Sequence, residues 1–311
     1  MIDSYDPLEY FPIKQGMPKS SSAFSVLPKY ENEEKNKIFQ IDYNFSTFRN
    51  EKENRRSEIR EYYQATKNAA FEEVIPFIID TLSKEYPQYF TYIKEPDGSS
   101  LLCKLTKEVL IFDKNFRLIK LPEQNYLDAF DALAMQVPED LAIMSVDVEG
   151  NARLEAAHLC TPNDWAANFI NKNFEEIHES LPNFKKIIPN SQRLLRALMK
   201  TSKTIERVGA INFKTTPILN RSSIIPKEIR FPPLDDKSPK LFMRWERQTL
   251  TTFPKSGVLL FSIKTYVENC LSDDLEKRPA FIRVFEEKKS GVHSEKFIND
   301  NREQVLRWLK K

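Results

Sequence analysis

The sequence predicts an α+β protein built on an antiparallel sheet, and three observations carry that prediction. Short apolar runs of strand character gather in four places, residues 101–119, 141–159, 208–213 and 242–267. Stretches of helical spacing lie between and outside them, with no regular alternation of strand and helix that would signal a parallel sheet. The 311 residues are 41% hydrophobic and 12% aromatic, enough to cover a sizeable core.

Taken in order, residues 1–40 contain Pro7, Pro12, Pro18 and Pro28, each disfavouring helix at the residue before it, and are expected to form an extended arm. Between Asn44 and Lys67 the charged run from Arg49 to Glu58 predicts a solvated surface helix. Phe71, Val74, Ile75, Ile78, Ile79 and Leu82 recur at helical spacing and predict a second helix over 69–85. Residues 101–105, 109–112 and 116–119 read as strands, the last two joined by a tight turn at Asp113-Lys-Asn115. A helix over 124–135 leads to a hairpin, 141–148 and 152–159, turning at Glu149-Gly-Asn151. Strict alternation places Leu154, Ala156 and His158 on one face of its second strand.

Thr161-Pro-Asn-Asp164 supplies a capping hydroxyl, a proline for the first helical position and an acid for the positive end of the dipole. The helix it opens carries Trp165, Phe169, Phe174, Ile177 and Leu181 on one side and reaches His178 near its end. A helix over 192–199 and a strand over 208–213 precede residues 214–240, whose five prolines predict a long loop. The clearest hairpin pairs 242–250 with 258–267, and Ile298, Val305 and Leu309 mark an amphipathic helix over 297–309. The expected organisation is an arm (1–40), one main domain (41–290) and a C-terminal helical segment (291–311).

Composition excludes several functions. Six glycines in 311 residues, about 2% against a usual level of about 7%, stand too far apart for dinucleotide, P-loop or nucleophile-elbow motifs. Cys103, Cys160 and Cys270 are isolated, so neither a CxxC zinc pair nor a four-thiolate iron-sulfur cluster is expected. Three histidines without an HExxH motif leave no multi-histidine metal site. Any redox chemistry therefore needs a bound organic or haem cofactor. A net charge of +2 gives no one-signed field for nucleic acid, and no apolar run approaches the roughly 20 residues a bilayer requires. The N-terminal residues lack a secretory pattern, and a cytoplasmic protein is expected.

The C-terminal hairpin is the most suggestive segment. Arg244, Glu246 and Gln248 fall on one face of its first strand, with Met243, Trp245, Arg247 and Thr249 on the other. In the second strand Leu259, Phe261, Ile263 and Val267 oppose Ser262, Lys264 and Tyr266. Such a pattern is either a half-wet sheet or a polar row lining a pocket. His178 and His158 are each compatible with a packed core residue or with a neutral imidazole ligand to iron; His293 lies in a polar stretch and is expected at the surface.

The segments Glu139-Asp-Leu-Ala-Ile-Met144, Glu149-Gly150, Ala156-Ala157, Cys160-Thr-Pro-Asn-Asp-Trp165 and Ile177-His-Glu-Ser-Leu-Pro182 resemble the central signature of the haem-dependent oxidative N-demethylase α-subunit family. Glu246-Arg-Gln-Thr-Leu250, Pro254, Gly257, Leu260-Phe261 and Ile263-Lys-Thr-Tyr266 are similar to its C-terminal signature, with weaker matches at Phe39-Gln-Ile-Asp42 and Glu85-Tyr-Pro87. The resemblance implies a PAS-like antiparallel sheet with flanking helices that holds haem b. It implies a monooxygenase subunit that uses O2 to demethylate a small secondary amine and release formaldehyde. Electrons are then expected from a separate flavin and iron-sulfur reductase. The family histidine matches His178, which becomes the expected axial ligand, with His158 the alternative. Lys264 and Tyr266 are expected to help hold the cofactor, Lys264 standing where the family has an arginine and offering no planar fork. Arg244 is expected as a preorganised cation facing the haem pocket, and Glu246 as the group that positions an amine or moves a proton. The alternative is a non-catalytic haem or small-ligand sensor on the same fold, and a third reading is an interaction protein whose polar strand face is plain surface.

Overall fold

The computed structural model describes residues 25–27, 33–58, 63–65, 71–160, 169–179, 188–219, 226–272, 277–287 and 296–311. The first half of the chain runs β1 (Ser25–Val26), α1 (Phe45–Glu58), β2 (Tyr63–Ala65), α2 (Phe71–Glu85), β3 (Phe90–Glu95), β4 (Gly98–Cys103), β5 (Glu108–Asp113), β6 (Leu118–Ile119), α3 (Ala129–Ala134), β7 (Asp140–Val146) and β8 (Ala152–His158). The second half runs α4 (Phe174–His178), α5 (Ile188–Leu198), β9 (Thr204–Lys214), α6 (Lys227–Arg230), β10 (Phe242–Phe253), β11 (Val258–Asn269), α7 (Arg278–Glu287), α8 (Lys296–Asp300) and α9 (Arg302–Lys310). The architecture is α+β: a seven-stranded sheet in the order β1-β9-β10-β11-β7-β8-β2 and a four-stranded meander β3-β4-β5-β6, with antiparallel neighbours throughout. Most of the expected arm, the segment 161–168 with its capping signal and Trp165, and His293 lie outside the described residues.

The β10–β11 hairpin forms the centre of the large sheet, paired without a break from Phe242↔Asn269 to Phe253↔Val258. Its strands run longer than the apolar pattern predicts because Thr251, Thr252 and Phe253 continue the ladder, leaving a turn that closes at Gly257 with φ 68°. Alternation then gives the sheet two different faces. One carries Ala142, Met144, Leu154, Ala157, Ile205, Leu250 and Leu259 under Ile177 of α4 and Leu195 and Leu198 of α5. The other packs Leu141, Ile143, Ala156 and Leu260 against α2 and α3, and Met243, Trp245 and Tyr266 against α7, α8 and α9. We call these the α4 face and the α2 face.

Leu154 and Ala156 do not share a face, contrary to strict alternation. Met144 pairs with Leu154 and Ile143 with Ala156, so Glu155 is an extra residue in β8. A bulge of this kind reverses the inward and outward assignment along the rest of the strand. His158, beyond it, faces the α2 side together with Leu141.

The charged helix also departs from expectation. Lys52 of α1 is fully buried and donates to the carbonyls of Ala134, Val137 and Glu139 at 2.7, 2.8 and 2.5 Å. Arg49 donates to the Met135 carbonyl (2.6 Å), and Arg56 forms a two-nitrogen-bond contact with Asp131 and the Asn125 carbonyl. The loop after α3 exposes carbonyls that its own short helix cannot satisfy, and α1 supplies the donors. Helix α7, for which no expectation was drawn, buries Phe281, Val284 and Phe285 at i, i+3 and i+4 spacing. The C-terminal helix is divided at Asn301 into α8 and α9.

The segment 37–42 crosses the α2 face as a strap whose backbone is held by buried charges. Arg247 donates to the carbonyls of Lys37 (2.8 Å) and Ile38 (2.9 Å) while its Nε is paired with Glu206 at 2.6 Å. Lys264 donates to the Gln40 carbonyl and to Asp42, both at 2.5 Å. Glu139 accepts from the Gln40 N–H (2.6 Å), and the Tyr86 hydroxyl donates to Phe39 and accepts from Ile41. Glu85 accepts from the N–H groups of Ile38 (2.8 Å) and Phe39 (3.4 Å).

Burial pushes the Glu85 carboxyl up to about 7, against the opposing pull of those two N–H groups and of Arg247 and Lys37. A carboxyl raised above its unfolded value stabilises the fold most below that value, and the contribution is lost as pH rises toward and through 7. Urea unfolding from pH 5 to pH 8 should therefore show wild-type stability falling more steeply than that of Glu85→Gln, and parallel profiles would contradict this account.

Candidate functional site

On the α4 face a row of polar side chains runs across three strands inside an otherwise apolar surface. Register places Arg207 opposite Gln248, Gly209 opposite Glu246 and Asn212 opposite Arg244, with a bulge between the last two pairs where Ala210 adopts φ 51°. Arg244 Nη1 donates to Glu246 Oε1 at 2.7 Å and its Nη2 to Thr265 Oγ1 at 3.1 Å. Gln248 Nε2 donates to Glu246 Oε2 at 2.8 Å, and Arg207 Nε donates to Gln248 Oε1 at 2.7 Å. Arg244 is 1% exposed and Glu246 9%, so the row is not a solvated sheet face. Each oxygen of Glu246 thus receives one fixed donor, and the carboxylate cannot rotate without losing both. Burial lowers the pKa of Arg207, opposed by the charge of Glu246.

His178 closes the last turn of α4 above the same face. Asn173 caps this helix in a reciprocal box with Glu176, its side chain accepting from Glu176 N at 2.9 Å and its N–H donating to Glu176 Oε2 at 2.7 Å. The His178 ring lies 4.2 Å from that of Phe174, and its Nδ1 is 2.8 Å from the Phe174 carbonyl. A carbonyl can only accept, so Nδ1 carries the proton and Nε2 keeps its lone pair. Burial lowers the His178 pKa, an effect to which nearby Arg207 adds, and the ring is neutral at pH 7. A neutral imidazole with one nitrogen anchored to a carbonyl is the usual arrangement of a metal-ligating histidine, so this residue fits a haem iron. The surface around Ile177 and Leu250 is apolar, the chemical character a macrocycle would need, and Arg207 adds a cation at its edge.

The five residues singled out by sequence are divided between the two faces. His178, Arg244 and Glu246 share the α4 face, whereas Lys264 and Tyr266 lie on the α2 face because they alternate with Ile263 and Thr265. Lys264 is taken up by Asp42 and the strap, with the rings of Phe48 and Tyr266 at 5.5 and 5.2 Å from its nitrogen. Tyr266 stacks on Trp245, ring centroids 5.4 Å apart. His158 is also on the α2 face, fully buried, with Nε2 3.1 Å from Asp131 and Nδ1 3.8 Å from Cys160 Sγ. Both of its ring nitrogens are engaged, and Asp131 in turn holds Arg56.

Arg207 and Asn212 were not among the expected site residues. Their signal in the sequence is two polar residues in an apolar strand, but the bulge at Ala210 puts them out of step, so simple alternation does not align them.

The large sheet thus buries an oriented row of charged and polar side chains on the face that α4 and α5 cover. The chain belongs to the family described as haem-dependent oxidative N-demethylase, alpha subunit-like, whose model matches residues 29–306. That description names haem-dependent oxidoreductases and one subunit of a larger assembly. The matched span includes the strap, the four-stranded sheet, the large sheet apart from β1, and every residue of the polar row. Among the described residues no helix is long and apolar enough to cross a membrane.

The placement of Lys264 has a measurable consequence. Lys264→Met leaves Asp42 buried without its cation and should lower stability by about 3 kcal/mol or more, while Asp42→Asn added to it should restore much of the loss. A double-mutant cycle in urea that finds the two losses additive would remove Lys264 from the strap.

Proposed function

We propose that the α4 face is the haem pocket of a PAS-like monooxygenase subunit that removes a methyl group from a small secondary amine and releases it as formaldehyde. The observation that carries the reading is the coincidence on one face of His178, its Nδ1 tied to a carbonyl, and the buried Arg244–Glu246 pair. Within this reading His178 Nε2 would hold the iron of haem b, and the cofactor would supply the activation of O2. Arg244 provides a cation fixed before the reaction begins, held by Glu246 and Thr265 so that it need not reorganise. Glu246, paired with Arg244, attracts and orients the ammonium form of the amine and can accept its proton at a carboxylate oxygen. Apolar neighbours from α4, α5 and β11 limit water around these groups. Electrons come from a separate flavin and iron-sulfur reductase in the cytoplasm, since the three cysteines are too few for a four-thiolate cluster.

An absorption spectrum of the purified chain tests the ligand. His178→Ala should lose most of the Soret band, while His158→Ala should retain haem at a level set only by its folding. A normal spectrum in the first protein and a lost one in a folded second protein would reverse the assignment.

Turnover tests the acid pair. With reductase supplied, Glu246→Gln should leave the spectrum nearly intact and lower formaldehyde production by about 10²-fold, the scale expected for a positioned acid or base. Unchanged production would leave a haem-binding sheet without this chemistry.

A further inference from the structure

The amide oxygen of Asn212 is a buried acceptor on the α4 face that makes no hydrogen bond among the described residues. Asn212 is 1% exposed; its Nδ2 donates to the Ala210 carbonyl at 3.0 Å, and its Oδ1 meets no hydrogen-bond donor among the described residues. The Nδ2 contact fixes which way the amide points, because a flipped amide would set its oxygen against the carbonyl oxygen. The orphaned acceptor is thus a property of the site.

Its position explains why the bond is unmade. Asn212 is opposite Arg244 in register, but both Arg244 Nη atoms are directed to Glu246 and Thr265. The bulge at Ala210 separates Asn212 from Gly209, and Gly209, opposite Glu246, presents no side chain. A fully buried amide oxygen without a donor is uncommon in folded proteins, and a bound group that brings the donor is one physical explanation of it. Glu246 also retains accepting capacity, since each carboxylate oxygen has a second lone pair beyond the donor it already receives.

Two acceptors on one face, one neutral and one anionic, beside a strand position without a side chain, suit a group with a positive charge and two N–H donors. A secondary ammonium ion has both. A tertiary ammonium ion has the charge and a single N–H. We propose that Asn212 is a specificity-determining residue whose Oδ1 accepts one N–H of a secondary ammonium ion while Glu246 accepts the other. The proposal rests on the reading of this face as an amine pocket.

Calorimetric titration of the full-length, haem-loaded protein with dimethylammonium chloride and with trimethylammonium chloride tests it without turnover. The wild type should prefer dimethylammonium by about tenfold or more, the scale of one hydrogen bond to a charged donor. Asn212→Leu should weaken dimethylammonium by about that factor and leave trimethylammonium within about twofold, so that the preference collapses. Asn212→Ala, which removes the same oxygen with less bulk, gives the same readout should leucine prevent folding. A wild type without the preference, or a variant that loses both ions equally or neither, overturns the role of Asn212 and leaves the amine pocket standing. A wild type that binds neither ion overturns the amine pocket itself, and this inference with it.

Discussion

The clamp of buried charges on the strap at residues 37–42 is the constraint on which the rest of the structure depends. Irregular backbone lying on a sheet presents N–H and C=O groups that water cannot reach, and each must find a partner inside the protein. Here Arg247 and Lys264 serve the carbonyls of Lys37, Ile38 and Gln40, while Glu85 and Glu139 serve the N–H groups of Ile38, Phe39 and Gln40. These donors and acceptors come from β10, β11, α2 and the residue just before β7, so the strap ties together elements distant in sequence. Segments that resemble family signatures, Phe39 to Asp42, Glu85 to Pro87, Glu139 to Met144 and Ile263 to Tyr266, meet at this clamp. Much of the signature is therefore explained by one buried polar network.

The strap occupies the α2 face, and the polar row that we propose as the pocket lies on the α4 face. Side chains alternate along β10, so Arg247 and its neighbour Glu246 serve opposite purposes although they are adjacent in sequence. Arg247 and Glu206 form a closed pair that anchors backbone. Arg244, Glu246, Gln248 and Arg207 form an open row in which every charge is oriented but accepting capacity remains on Glu246 and Asn212. A row of this kind is stable only when it is extensively paired, since a lone buried charge is far more unfavourable than a linked one. The same linkage that makes it tolerable fixes the orientation of its groups.

Charge patterning in α1 illustrates why composition is a poor guide to exposure. The run from Arg49 to Glu58 has the look of a solvated helix, yet Lys52 is fully buried and Arg49 and Arg56 reach inward. A cation is buried where backbone carbonyls converge, and that convergence is produced by the loop after α3, about 85 residues further on. Nothing local to α1 encodes it.

Local patterns by themselves determined the α+β class, the β10–β11 hairpin, helix α2 and the assignment of Arg244, Glu246 and Gln248 to one strand face, because strand and helix periods are set by backbone geometry over a few residues. They also singled out His178 through a motif. Tertiary structure alone decided which face of the sheet each residue served. The bulges at Glu155 and Ala210 shift the phase of β8 and β9, placing His158 away from His178 and bringing Arg207 and Asn212 into the polar row. A one-residue change of register moves a side chain from one face to the other, and register is settled by pairing between strands far apart in the chain. Lys264 and Tyr266 could be placed on a strand by their sequence, but only the packed strap showed that their side of that strand is occupied by Asp42 and Trp245.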